Sequence, residues 1–199
     1  MSSPRENGHP PGLAPEQRRA LLQVARASIV HGLETGGPLP VDPEDHAPPL
    51  RRAGASFVTL TTGGRLRGCI GSLEACRPLV ADVAANAHAA AFQDPRFPPL
   101  AANELQSLRI QISVLGAPVP MSFSSEKDLL SQLRPHVDGL IMEEGSRRGT
   151  FLPSVWDTLP RPRDFLRQLK LKAGLSQDYW SDTLRVYRYT TESFSEEEA

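Results

Sequence analysis

Two periods of apolar residues organise this chain. From Pro15, PEQRRALLQVARASIVHGLE sets Leu22, Ala25, Ile29 and Leu33 at helical spacing, with Pro15 suited to a first turn and Gly36-Gly37 to a stop. RPLVADVAANAHAAAF carries a broad apolar stripe from Leu79 to Ala91, and its many alanines suit close packing against a sheet. The period drops to two in ASFVTLTTGGRLRGCIGS, which predicts two strands joined around Gly63-Gly64. LRIQISVL, residues 108–115, alternates Ile110, Ile112 and Val114 against Arg109, Gln111 and Ser113, as a half-buried strand does. SSEKDLLSQL reads as a helix capped by Ser125. DGLIMEEGSRRGTFLP follows as a second hairpin, then PRDFLRQLKLKAGL as an amphipathic helix ended by Gly174, and LRVYRYTT, 184–191, as a closing strand.

The connecting stretches are proline-rich. Residues 36–50 read as an irregular loop, and DPRFPPL, 94–100, breaks the helix before it. Residues 1–12 read as a disordered leader and 196–199 as an acidic tail, which leaves 13–195 for the folded domain. The order of elements predicts an α+β fold, an antiparallel or mixed sheet flanked by helices, not a doubly wound parallel one.

Composition narrows the class without naming a reaction. A chain of 199 residues, 39% hydrophobic and 23% charged, is that of an ordinary globular protein. No apolar run spans a bilayer and the N-terminus lacks a signal-like apolar region, so a cytoplasmic location and no membrane partner are expected. Cys69 and Cys76 lack CxxC spacing, and His9, His31, His46 and His136 are scattered, so no metal set is expected. Neither GxxxxGK[ST] nor GxGxxG nor GxSxG occurs, and no cofactor follows from the sequence. The acidic end (Glu192, Glu196, Glu197, Glu198) masks a net positive remainder, with basic residues concentrated from Arg147 to Arg188.

The chemistry centres on LRGCIG, residues 66–71. Strict alternation sets Arg67 and Cys69 on one face and Leu66, Gly68 and Ile70 on the other. A cation beside a thiol favours the nucleophilic thiolate, which makes Cys69 a candidate catalytic residue. His88 is a weaker candidate for its base. Gly68 and Gly71 lack side chains and would admit a ligand. Arg67, Arg96 and Arg148 are candidates for gripping a small anion through planar bidentate contacts. Each has a plainer alternative: Arg67 paired with Glu104 or Glu74, Arg96 holding its loop through Asp94, and Arg148 facing solvent at a hairpin. Cysteine is among the most buried residue types, so Cys69 also reads as packing, and Cys76 as a structural thiol. Trp156, Trp180 and Phe165 read as core anchors.

These blocks together resemble the AMMECR-one family, the AmmeMemoRadiSam system protein A group. The resemblance rests on Ser56-Phe57-Val58-Thr59-Leu60, the hexapeptide Leu66 to Gly71, Ala90-Ala91-Phe92 with Asp94-Pro95-Arg96-Phe97, and Ile112-Ser113-Val114-Leu115. Arg148-Gly149, Phe151-Leu152-Pro153, Val155-Trp156, Phe165-Leu166, Lys172-Ala173-Gly174-Leu175 and Trp180 complete it. It implies a domain of two unequal lobes with the hexapeptide facing a cleft, and no established reaction. It also implies Memo-like and radical S-adenosylmethionine proteins as partners, since family members are often encoded beside or fused to them in prokaryotes.

Three readings follow. One is a small-molecule-binding protein, a thiol-dependent enzyme or a component of a modification pathway, working around residues 66–71. Another is a non-catalytic module that docks a protein partner there. The last, a nucleic-acid binder using the basic C-terminal third, lacks a recognisable motif and predicts binding that falls steeply with salt.

Overall fold

The computed structural model describes residues 12–196, and all but Gly12 of the leader read over 1–12 and all but Glu196 of the tail read over 196–199 lie outside them. The chain divides into two compact units: residues up to Leu115 together with those from Glu192, and residues Gly116–Thr191.

The first unit begins with α1 (Pro15–Thr35), which the pattern located to within a residue at its end. Gly36 stops it with φ of 79°, a left-handed conformation that glycine adopts at no steric cost. The proline-rich loop contains a short helix that its composition concealed, α2 (Pro48–Arg51). The strands β1 (Ala53–Gly54), β2 (Ser56–Thr62), β3 (Arg65–Gly71) and β4 (Arg77–Pro78) precede α3 (Leu79–Phe92), and β5 (Leu108–Leu115) follows it. Gly63 and Gly64 both have positive φ, as a two-residue hairpin turn between β2 and β3 requires.

The main sheet of this unit has the order β10-β5-β2-β3, with β10 (Thr191–Ser195) returning from the far end of the chain. Val58, Leu60, Ile110 and Ile112 are fully buried on one face, beneath the apolar stripes of α1 and α3. The acidic end of the chain is partly structural. Glu192 accepts from the Leu13 amide and pairs with Arg18, while Glu196 pairs with Arg26 and accepts from the Ile110 amide. The sequence reading of 184–191 as one closing strand therefore needs correction: β9 (Arg185–Tyr189) ends there, and β10 is a separate strand of the other unit's sheet.

The second unit holds β6 (Val119–Pro120), α4 (Glu126–Gln132), β7 (Gly139–Glu144), β8 (Arg147–Phe151), α5 (Pro162–Lys172) and β9, with sheet order β6-β9-β7-β8. Ser125 caps α4 through its hydroxyl, as its position predicts. Trp156 and Phe165 stack with centroids 3.8 Å apart, and the indole N–H donates to the Asp138 carbonyl at 2.7 Å, so both are core anchors. Every strand pairing with an assigned register in either unit is antiparallel, and the fold is α+β.

Candidate functional site

β3 is the outer strand of its sheet, and it is not regular. Thr61 lies opposite Leu66, but the next residue, Leu60, lies opposite Gly68, which leaves Arg67 as the extra residue of a β-bulge. The alternation expected over the hexapeptide is therefore broken at Arg67. Leu66 and Cys69 stand opposite Thr61 and Thr59, while Gly68 and Ile70 stand opposite the buried Leu60 and Val58.

The space at the two glycines belongs to the protein. A Cβ on Gly68 would fall 2.0 Å from the carbonyl oxygen of Ala90 in α3, and one on Gly71 would fall 2.3 Å from the Phe57 ring. These glycines admit a helix backbone and an aromatic ring, not a ligand, which corrects the expectation that they open a site.

α3 addresses β2 and β3 with one row of side chains four residues apart: Asp82, Asn86, Ala90 and, just past the helix end, Asp94. At one end Asp82, 1% exposed, accepts from the Ser56 amide at 2.8 Å, from the Ser56 and Ser72 hydroxyls at 2.7 Å each, from Arg77 at 2.9 Å and from Asn86 at 2.9 Å. Asn86 also donates to the Ser56 carbonyl at 3.0 Å. The sequence reading passed over this network because it followed the apolar stripe. Its signal was a polar pair at i and i+4 inside an otherwise alanine- and valine-rich helix.

At the other end of the row Asp94 closes the open edge of β3. Its carboxylate accepts from the Cys69 amide at 2.9 Å and from Arg96 through Nη2 at 2.7 Å and Nε at 2.9 Å. Arg96 Nη2 also reaches the Cys69 carbonyl at 3.4 Å. A carboxylate and a guanidinium thus stand where a further strand would have supplied the partners of Cys69. The Arg96 contact, with the bonds from the Cys69 and Arg96 amides beside it, holds the Asp94 carboxyl well below the usual carboxylate range, against the opposing effect of burial.

That shift fixes the sign of a pH effect. In the unfolded chain Asp94 titrates near pH 4 (about 3.9), whereas in the folded protein it stays ionised to lower pH. Its stabilisation is complete well above pH 4 and is lost as pH falls through the native value. Asp94→Ala is expected to cost about 1–3 kcal/mol at pH 7, because the Cys69 amide is orphaned while the half-exposed Arg96 returns to water. Urea unfolding of both proteins from pH 7 to pH 2 should show the difference shrinking below pH 4. A difference that stays constant over that range would contradict the assignment.

Cys69 is half-buried and free, with its Sγ 3.3 Å from the Thr59 hydroxyl. Cys76 is free and exposed, which corrects its reading as a buried structural thiol. Arg67 does not serve as the cation of Cys69. Its side chain is only 12% exposed and pairs in two-pronged fashion with Glu104 at 2.7 and 3.0 Å, the plainer of its alternatives. Arg96 instead reaches the Cys69 carbonyl oxygen, and Arg67 and Arg96 both lie within 6.0 Å of the Phe97 ring centre.

His88 does not join the site either. It belongs to the row of Ala84, whose carbonyl accepts from Ser28 of α1, and its own ring packs on Phe92 and against Gly32 of α1. Burial pushes His88 below the ordinary histidine range, partly opposed by the nearby Gly36 backbone. Arg148 lies in the second unit, where it pairs with Glu143 at 3.5 Å across the β7–β8 hairpin. No group of three or more potential metal ligands occurs among the described residues, and none of their helices is long and apolar enough to cross a membrane.

The architecture is that of an α+β protein of two antiparallel units, with a bulged, cysteine-bearing edge strand fastened to the helix packed on it. A profile of the AMMECR1 family matches residues 22–194, and the chain belongs to that family. A protein of Methanothermobacter thermautotrophicus is 38% identical over 191 residues, covering 93% of this chain and 97% of that one. One of Thermotoga maritima is 40% identical over 159 residues, covering 77% and 86%. The crystal structure of the uncharacterized protein PH0010 from Pyrococcus horikoshii superposes with a TM-score of 0.81 at 34% identity, covering 94% of each chain.

Proposed function

We propose that this protein is a small-molecule-binding, thiol-bearing component of a cytoplasmic pathway shared with Memo-like and radical S-adenosylmethionine proteins, and that it works through Cys69. The observation that carries the reading is the fastening of Cys69. Its amide and carbonyl are both held from the edge by Asp94 and Arg96, its sulfur rests on the Thr59 hydroxyl, and the thiol remains half-buried instead of sealed in the core. Arg96, with 54% of its side chain exposed, presents the part of its guanidinium beyond the Asp94 pair as the contact for a small anionic substrate.

The test is the rate of modification by iodoacetamide, followed by peptide mass spectrometry with Cys76 as an exposed internal reference. Cys69 is expected to react in the folded protein, and more slowly than Cys76, because it is half-buried where Cys76 is exposed. A Cys69 that stays unmodified until the protein unfolds would end the catalytic reading. So would full activity of Cys69→Ser in a reconstituted mixture with the Memo-like and radical enzymes.

A second reading, a docking module for a protein partner, draws on Leu66, the first residue of the hexapeptide, and Leu73, two residues past its end, with 44% and 36% of their surfaces exposed. Loss of partner binding in Leu66→Asp, with Cys69→Ser binding normally, would favour it. The nucleic-acid reading has the least support, because Arg148, Arg161, Lys170 and Arg185 all have acidic partners within the second unit.

A further inference from the structure

The second unit contains a cavity of about 420 Å³, within the range of small-molecule sites. It is lined by Thr158–Arg161, by Asp164, Arg167 and Gln168 of α5, and by Gln177. The lining is unlike a gap left by poor packing. Leu159 and Pro160 give it a small apolar flank, and the rest is hydrogen-bonding groups.

Those groups differ in how far they are already committed. Arg161 is paired with Asp164, so that cation and the cavity's one acidic residue balance each other. Among the described residues Arg167 is held only by a 3.5 Å contact with Asp178, a residue 87% exposed and easily released to water. Gln168, Gln177 and Thr158 make no side-chain hydrogen bond among the described residues. Arg167 is thus the loosely held cation, and two amides and a hydroxyl are available around it.

We propose that this cavity is a second ligand site, one that binds a small organic oxyanion, a phosphate ester or a carboxylate, with the anionic group on Arg167. The polar remainder of the ligand is held by Gln168, Gln177 and Thr158. The guanidinium plane suits either oxyanion, because both present two oxygens at the spacing of its paired N–H groups. The amides supply the directional bonds that select the remainder of the molecule. The site uses none of the residues around Cys69, so it stands or falls separately from the thiol reading.

The experiment is a titration of the isotopically labelled full chain with inorganic phosphate, acetate and ribose 5-phosphate, following side-chain amide signals of Gln168 and Gln177. A saturable shift with at least one probe is expected, and the probe that saturates first separates the phosphate from the carboxylate class. Tighter binding of ribose 5-phosphate than of inorganic phosphate reports the contribution of the remainder. Arg167→Ala is expected to weaken binding about tenfold or more, as loss of a charged hydrogen bond does. Because Arg167 is a half-exposed surface residue, that variant should fold as the parent does, and its unchanged amide spectrum outside the cavity checks this. Arg96→Ala should leave the titration unaltered. The proposal is overturned if no probe gives a saturable shift up to about 20 mM, a concentration at which even millimolar affinities register. It is also overturned if Arg167→Ala binds as tightly as the parent.

Discussion

Gly68→Ala is expected to lower the free energy of unfolding by about 3 kcal/mol or more, the upper range for overpacking a core. The reason lies in which atoms the new methyl group meets. Its Cβ would stand 2.0 Å from the Ala90 carbonyl oxygen and 3.0 Å from the carbonyl carbon, and both are backbone. A side chain in that position could turn aside, but a helix backbone yields only if α3 moves as a body. Such a movement would strain the whole row from Asp82 to Asp94, because every member of it is fitted to β2 or β3. Two comparisons isolate the effect. At Gly71 the obstacle is the Phe57 ring, a side chain with rotational freedom, so Gly71→Ala should cost less. At Gly37 nothing lies within 4 Å, and Gly37→Ala should be neutral within about 0.5 kcal/mol. Urea midpoints with unchanged slopes read the three values. If Gly68→Ala falls within about 1 kcal/mol of the parent, the approach of α3 to β3 is looser than described.

The same geometry explains what was legible in the sequence. α1, the β2–β3 hairpin, β5 and α5 follow from periodicity because their burial obeys a single period, and the turn glycines and the Ser125 cap fix their ends. The hexapeptide breaks that rule. A bulge inserts one residue into a two-residue period, and nothing in LRGCIG marks Arg67 as the inserted one, so the face assigned to every earlier residue is reversed. Gly68 and Gly71 were read as openings because a glycine reports only that something comes close. Whether that is a ligand, a carbonyl or a ring depends on a partner 14 or more residues away in the chain. The pairing of Arg67 with Glu104 and of Arg96 with Asp94 was available in the sequence, since the acids were nearby, but choosing between a structural and a binding role required the distances.

Asp82 was hidden for a different reason. In a helix scanned for apolar residues an aspartate marks the solvent side, yet this one is 1% exposed and accepts from five donors. A buried carboxylate is tolerated only when its desolvation is repaid by such bonds, and removing the acceptor leaves the donors stranded. Asp82→Ala is therefore expected to cost about 3–5 kcal/mol, the usual penalty for breaking a buried charged network from one side. Arg77 can return to water, being 45% exposed in its side chain, so the cost falls mainly on the Ser56 amide and hydroxyl and on Asn86. Asp82→Asn keeps one carbonyl acceptor and the volume, and should recover roughly half of the loss by the ordinary worth of the bonds retained. The loss should also be local before it is global. Amide exchange should accelerate first at Ser56 and Ser72, which the network joins, and only later in β5, whose bonds to β2 lie beyond it. An Asp82→Ala protein with unchanged exchange at Ser56 and a stability within about 1 kcal/mol of the parent would show that the network is decoration on the sheet. The expected result makes Asp82 the anchor of the start of β2 and of the residue just past β3, the strand that presents Cys69: the row that begins at Asp82 ends at Asp94, whose carboxylate holds β3 itself.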